Sequence, residues 1–281
     1  MKKFGILFLI AALFATSCKK DDKVPAGTAA ELDGQTWKAT DVQARDNDDV
    51  LVIKAKDDEG KMVVIRVDGT QEGTYDLAEN GNFCTYKANG KFYAVHPGTD
   101  KPCGKVVIEK YDKAGHKCSG YFEFNAYDDE NHVVSCTNGH FGDVDVTISN
   151  VHDAKCGLFT SKVDDNYCAS DNITCAVEGD HIQITGACGT SGKTVSFKCP
   201  AHVGVGEYTV GPWGGGSVSC NYTGGSGFNF GSFNANCGTF VITKHDEEKH
   251  IIEGSFHMHL VQFGPFSGGV EFQHGSFTTQ Y

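Results

Sequence analysis

Leu32-Asp33-Gly34-Gln35-Thr36-Trp37-Lys38-Ala39 lines up with Val163-Asp164-Asp165-Asn166-Tyr167-Cys168-Ala169-Ser170, about 131 residues further on. The match continues in register. Gly60-Lys61-Met62-Val63 meets Gly192-Lys193-Thr194-Val195, Gly73-Thr74-Tyr75 meets Gly206-Glu207-Tyr208, and Cys84-Thr85-Tyr86 meets Cys220-Asn221-Tyr222. Further along, Cys103-Gly104 meets Cys237-Gly238, Ser119-Gly120-Tyr121-Phe122 meets Glu253-Gly254-Ser255-Phe256, and Gly139-His140-Phe141 meets Gly275-Ser276-Phe277. The offset drifts only from about 131 to 136, each step falling in a turn, as expected for duplicated domains that differ in loop length.

Each copy reads as an antiparallel meander. Val50 to Ala55 and Met62 to Val67 flank the turn Asp57-Asp58-Glu59-Gly60. Phe122, Phe124 and Ala126 alternate with Glu123, Asn125 and Tyr127, giving one buried and one wet face. In the second copy the same alternation puts Ile252, Phe256, Met258 and Leu260 inside and Glu253, Ser255, His257 and His259 outside. With 35 Gly and many aromatic and β-branched residues, the composition favours short strands and tight turns. The expected fold is all-β, two tandem antiparallel sandwich or barrel-like domains, at residues 31–150 and 158–281.

Ahead of them, Lys2 and Lys3 precede the apolar run Phe4 to Phe14 and the small residues Ala15, Thr16 and Ser17, the layout of a cleaved signal over residues 1–17. The run is well short of the roughly 20 residues a bilayer crossing needs. A small residue before Cys18 resembles the lipobox of bacterial lipoproteins, with Ala15 standing where that motif usually has Leu, so Cys18 is the expected lipid attachment site. Lys19 to Lys23 resembles the short export tags of surface-displayed Bacteroidota lipoproteins, and residues 18–30 make a polar tether with little to bury. This predicts an outer-membrane lipoprotein facing the surface, with the periplasm as the other side, held to the membrane by its N-terminal lipid alone.

Residues 1–17 hold two of the 24 basic residues and none of the 36 acidic ones, so removing them takes the formal charge from −12 to −14. Such a surface repels nucleic acid and anionic lipid. The Leu-Asp-Gly-x-x-Trp opening, Gly73-Thr74-Tyr75 and Asn138-Gly139-His140-Phe141 together resemble a family of small Bacteroidota lipoproteins of unknown function. The second copy departs from it with Cys168 at the Trp37 position and Glu207 at the Thr74 position. The resemblance implies no activity and no cofactor.

Eleven cysteines follow Cys18. Cys84 with Cys103 and Cys220 with Cys237 recur in both copies, so the simplest disulfides close the same loop twice. Cys118 and Cys136 lie too far apart along a hairpin to pair and read as small buried hydrophobes. The connectivity of Cys156, Cys168, Cys175, Cys188 and Cys199 stays open. The two loops so closed carry Phe92, Tyr93 and His96 in one and Phe228, Phe230 and Phe233 in the other, aromatics suited to stacking on a sugar or anchoring a protein, or to folding back as a cap. His257 and His259 on one strand face, with Glu271 opposite His259, form a candidate zinc or copper site. Ala187-Cys188-Gly189-Thr190-Ser191-Gly192-Lys193-Thr194 loosely matches a phosphate loop but runs on as a strand, like the plain hairpin turn at Gly60-Lys61, which argues against nucleotide binding. The acidic turns at Asp46 to Asp49, Asp57 to Glu59 and Asp128 to Glu130 lack EF-hand spacing and read as solvated hairpin turns.

The sequence therefore favours a non-enzymatic surface lipoprotein that binds or scaffolds a glycan or protein ligand. A metal carrier or enzyme built on His257, His259 and Glu271, or a purely structural envelope component, are the other readings. The anchor is directly testable: an alkyne-tagged palmitate fed to expressing cells should label the wild-type chain and not Cys18→Ser, which should leave the membrane fraction. Equal labelling of both would remove Cys18 as the attachment site.

Overall fold

The computed structural model describes residues 23–47, 49–149, 157–163, 166–188, 193–210, 217–223, 232–262 and 269–281, all in strands, turns and links with no helix among them. The signal, Cys18 and the start of the tether lie outside the described residues, and the expected tether is shorter than residues 18–30, since Gly27 to Ala30 already belong to a paired strand with Thr28 and Ala30 buried. Eleven strands form one sheet: β1 (Gly27–Leu32), β2 (Gln35–Lys38), β3 (Asp41–Asn47), β4 (Val50–Lys56), β5 (Met62–Val67), β6 (Gly73–Asp76), β7 (Phe83–Ala88), β8 (Lys91–Ala94), β9 (Gly104–Asp112), β10 (Lys117–Tyr127) and β11 (Val133–Ser149). Ten more form a second: β12 (Leu158–Val163), β13 (Asn166–Ser170), β14 (Ile173–Glu178), β15 (His181–Cys188), β16 (Lys193–Pro200), β17 (Gly206–Thr209), β18 (Ser219–Thr223), β19 (Ser232–Asp246), β20 (Ile251–Gln262) and β21 (Gly269–Gln280).

The first sheet closes on itself. Strand β11 pairs antiparallel with β10 and β1, and its far end runs parallel to β3, from which β4, β5, β7 and β8 lead back to β10 through the single pair Ala94 and Tyr127. The second follows the order β13-β12-β21-β20-β19-β18-β16-β15-β14, with β17 on the side of β19. Hairpin by hairpin the registers coincide. Leu32 pairs with Gln35 and Ala30 with Trp37, as Val163 pairs with Asn166 and Ser161 with Cys168. Gly73, Thr74 and Tyr75 pair with Ile108, Val107 and Val106, as Gly206, Glu207 and Tyr208 pair with Ile242, Val241 and Phe240. The Tyr75 hydroxyl donates to the Gln71 carbonyl (2.8 Å) and the Tyr208 hydroxyl to the Gly204 carbonyl (2.7 Å), the same four-residue reach.

Packing repeats as well. A Cβ on Gly139 would stand 2.6 Å from the Phe122 ring, and one on Gly275 would stand 2.2 Å from the Phe256 ring, so in both sheets an aromatic lies flat over a glycine of the neighbouring strand. Strand β10 alternates as expected up to Ala126, with Cys118, Phe122, Phe124 and Ala126 buried, but Tyr127, expected on the wet face, is buried as well; in β15 Ile182, Ile184 and Cys188 are buried between half-exposed neighbours. Strands β4 and β5 differ from the expected one-face burial, since Val50 to Ile53 and Val63 to Val67 are buried without a break. Strands covered on both faces read as continuous apolar runs, and here the second half of the chain supplies cover, with Leu158 and Ile251 joining the core of the first sheet.

A charged pair sits in that contact. Arg66 on β5 and Glu253 on β20 are 1% and 2% exposed, with Nη2 3.1 Å from Oε1. The Thr278 hydroxyl donates to the same oxygen at 3.0 Å, Arg66 Nη1 donates to the Gly81 carbonyl, and the Phe83 ring lies 5.9 Å from the guanidinium carbon. Gly81 has a φ of +92°, and a Cβ there would fall 2.7 Å from Glu253 Oε2, so any other residue would push the carboxylate away. The expectation that Glu253 lies on a wet face is thus corrected: that face is wet at His257 and His259 but covered at Glu253. Around this pair, Lys244 Nζ reaches both carboxylate oxygens of Asp68 at 2.6 Å, and Lys249 stands 3.7 Å from Asp49. Removing one partner of a buried ion pair strands the other, so Glu253→Ala should cost about 3–5 kcal/mol in urea unfolding. A loss below about 1 kcal/mol would mean that water reaches Arg66 freely.

Candidate functional site

The cysteines are arranged differently from the expected pairing. Cys84 and Cys103 are separate buried thiols, and Cys220 is likewise unbonded; only the backbone of Cys237 is described, opposite His259. Cys84 lies mid-strand opposite Ile65, and the Cys103 thiol faces the Lys101 carbonyl at 3.5 Å, so the loop between them is held by a hairpin instead of a disulfide. Cys118 and Cys136 are buried and unpaired. Cys118 sits opposite Val144, three residues beyond the expected position, because β11 gains one residue at each of two bulges and the turn, closed by Tyr127 opposite Val133, is one residue longer than expected. Burial pushes the thiols of Cys118, Cys136 and Cys175 up to about 12 and that of Cys199 to about 11, leaving them protonated and inert at neutral pH.

Among the described residues the disulfide that forms is Cys168–Cys188, with Cα atoms 5.2 Å apart. It ties the β12–β13 hairpin to the end of β15 and closes a 20-residue separation, worth about 3 kcal/mol in the chain-entropy model. Cys168 holds the position of Trp37, which is 5% exposed in the first sheet. The signal lay in the sequence: a buried tryptophan replaced by a cysteine leaves a gap, and a crosslink spans it.

The first aromatic loop is the β7–β8 hairpin, turning at Asn89-Gly90. Tyr93 pairs with Tyr86, their ring centroids 6.0 Å apart, and both Phe92 and Tyr93 pack half-buried on the first core. Lys87 Nζ lies 5.1 Å from the Phe92 centroid and 2.6 Å from Asp171 on the other half of the chain. Phe92 thereby lines a cleft of about 560 Å³ whose walls are the hairpin, the Asp128 to Glu130 turn and Ala169 to Asp171. Phe228 and Phe230 fall outside the described residues, and of Phe233 only the backbone is described, paired with Tyr222 and Gln262.

On β20 and β21, His259 pairs with Glu271 in the expected register, but the carboxylate turns to His257, with Nε2 3.5 Å from Oε1. His257, His259 and Glu271 do not converge: the one group of three ligand types within 4.8 Å among the described residues is Asp128, Glu130 and His132. His257 instead lines a separate cleft of about 360 Å³, with His274 and the Asn80 and Gly98 loops. The Asp128 group is a satisfied turn, not an open one. Asp128 accepts from the Glu130 and His132 amides at 3.0 and 2.8 Å and from His132 Nδ1 at 2.9 Å. Lys91 Nζ stands 3.2 Å from Asp128 and 3.5 Å from Glu130, where a cation would sit. Burial pushes the Asp128 carboxyl up, but the bonds from His132 and Lys91 outweigh it and hold it below its ordinary value.

Residues 26–145 match the family described as Domain of unknown function (DUF6252). No curated protein and no solved structure matches the chain.

His96, in the same loop as Phe92, is 1% exposed, and burial, aided by the charge of Lys101, lowers its pKa from 6.5 to about 4. The fold therefore keeps the ring neutral, while the unfolded chain takes up a proton near pH 6.5. This contribution to stability is complete above pH 6.5 and is lost as pH falls towards 4, in all about 3 kcal/mol. Urea unfolding across that window should show the decline, and His96→Gln, with no ring to protonate, should flatten it.

Proposed function

We propose that the protein is a non-enzymatic, lipid-anchored protein of the cell surface, built from two copies of one β domain, that binds glycans in the cleft lined by Phe92. Shared hairpin registers, the two tyrosine-to-carbonyl bonds and the aromatic-over-glycine contacts support the duplication. The signal layout, Cys18 and the Lys19 to Lys23 tag support the anchor and the surface location.

The observation that carries the ligand reading is the setting of Phe92. Sugars are held by an apolar ring against their C–H faces and by polar groups for their hydroxyls. Around Phe92 the cleft offers Lys91, Asp129 and Glu130 on one side and Ser170 and Asp171 on the other. A purely structural component has no use for such a cleft, and the metal reading is left with His257 and Glu271 alone. A glycan array probed with the full chain in detergent should give hits that Phe92→Ala weakens about tenfold, equal to about 1.4 kcal/mol. Hits indifferent to Phe92→Ala would move the site elsewhere, and an array without hits would favour the structural reading.

A further inference from the structure

A second cleft, of about 450 Å³, runs between the β1–β2 hairpin and the β4–β5 turn. Trp37 and Tyr86, 5% and 7% exposed, form its floor. It meets the Phe92 cleft at two places. Asn89, at the tip of the β7–β8 hairpin, lines both, and the β4–β5 turn gives Asp57, Asp58, Glu59 and Lys61 to one and Gly60 to the other. Resting on the glycan reading above, we infer that the two clefts are one elongated site and that its ligand is a chain-like oligosaccharide, neutral or amino-bearing, lying across Asn89.

Charge selects the class. The Trp37 cleft sets Asp33, Asp57, Asp58 and Glu59 against Lys38 and Lys61. The Phe92 cleft sets Asp128, Asp129, Glu130 and Asp171 against Lys87 and Lys91. Carboxylates outnumber lysines two to one in each, so uronic, sialic and sulfated chains are repelled along the whole length. Polar complementarity follows. Gln35 and Asn89 each present an amide that donates and accepts, the pairing a sugar hydroxyl needs. In the wall of the same cleft the Trp37 indole N–H is buried with no hydrogen-bond partner among the described residues, an unusual vacancy for a buried donor. The second sheet shows the alternative, because there Cys168, in the Trp37 position, is bonded to Cys188 at the end of β15. The elongated site thus draws on residues of the first half, with Ala169, Ser170 and Asp171 of the second closing its Phe92 end.

The test is length dependence. Cello-, malto-, N-acetylchito- and chitosan oligosaccharides of one to six units are titrated into the full chain in detergent by calorimetry. For the series that binds, affinity should rise at least tenfold from the dimer to the hexamer. Gln35→Ala, at an exposed position lining the Trp37 cleft alone, should remove most of that gain and leave the dimer unchanged, whereas Asn89→Ala and Phe92→Ala, which line the Phe92 cleft, should weaken both lengths. Affinity flat with length, or a hexamer indifferent to Gln35→Ala, overturns the elongated site while leaving the Phe92 cleft standing. A hyaluronan hexamer bound as tightly as the neutral one overturns the charge selection. No binding by any series overturns the glycan reading together with this inference.

Discussion

The Arg66–Glu253 pair fixes how the two halves of the chain meet. Its charges are out of water, so each must keep its partner and its other hydrogen bonds, and this confines β5, the Gly81 turn, β20 and Thr278 to one arrangement. Ile251, two residues before Glu253, joins the apolar core of the first sheet. The Lys244–Asp68 and Lys249–Asp49 contacts continue the seam on its wetter margins. A pair of this kind adds little net stability compared with an apolar substitute, but it penalises every other docking angle. The Phe92 cleft depends on it, because one wall is β7 and β8 and the other is the end of β13.

Much of the fold was legible because it is local. Alternation along β10 and the hairpin around Asp57 to Gly60 each follow from neighbouring residues, and the repeat tied them into two sets. Hairpin register was legible for His259 with Glu271. It was displaced by three residues at Cys118, one from a longer turn and two from bulges, each of which adds a residue without leaving a mark in the hydrophobic pattern. The unbroken burial of β4 and β5 has a cause outside the strands, in residues nearly 190 positions away. Glu253 looked like any polar residue on a wet face for the same reason.

The site was legible as residue types and not as an assembly. Phe92 and Tyr93 were visible as aromatics on a loop, yet what makes Phe92 part of a cleft is Asp171 and Ser170, brought there by the docking of the second half. Matching cysteines in the two halves suggested matching disulfides, and the structure separates the two ideas. Cys84 and Cys220 match because both face a packed interior, where a thiol serves as a small apolar side chain. Cys168 has no cysteine counterpart in the first half, where Trp37 stands.

That difference between Trp37 and Cys168 makes the two halves unequal before reducing agents. The first holds its N-terminal hairpin by the bulk of an indole, which no thiol can undo. The second holds the equivalent hairpin by a bond that exists only where thiols are oxidised. A newly made chain in a reducing compartment therefore has a finished clasp at one end and an open one at the other, and the second half acquires its last constraint on reaching oxidising surroundings.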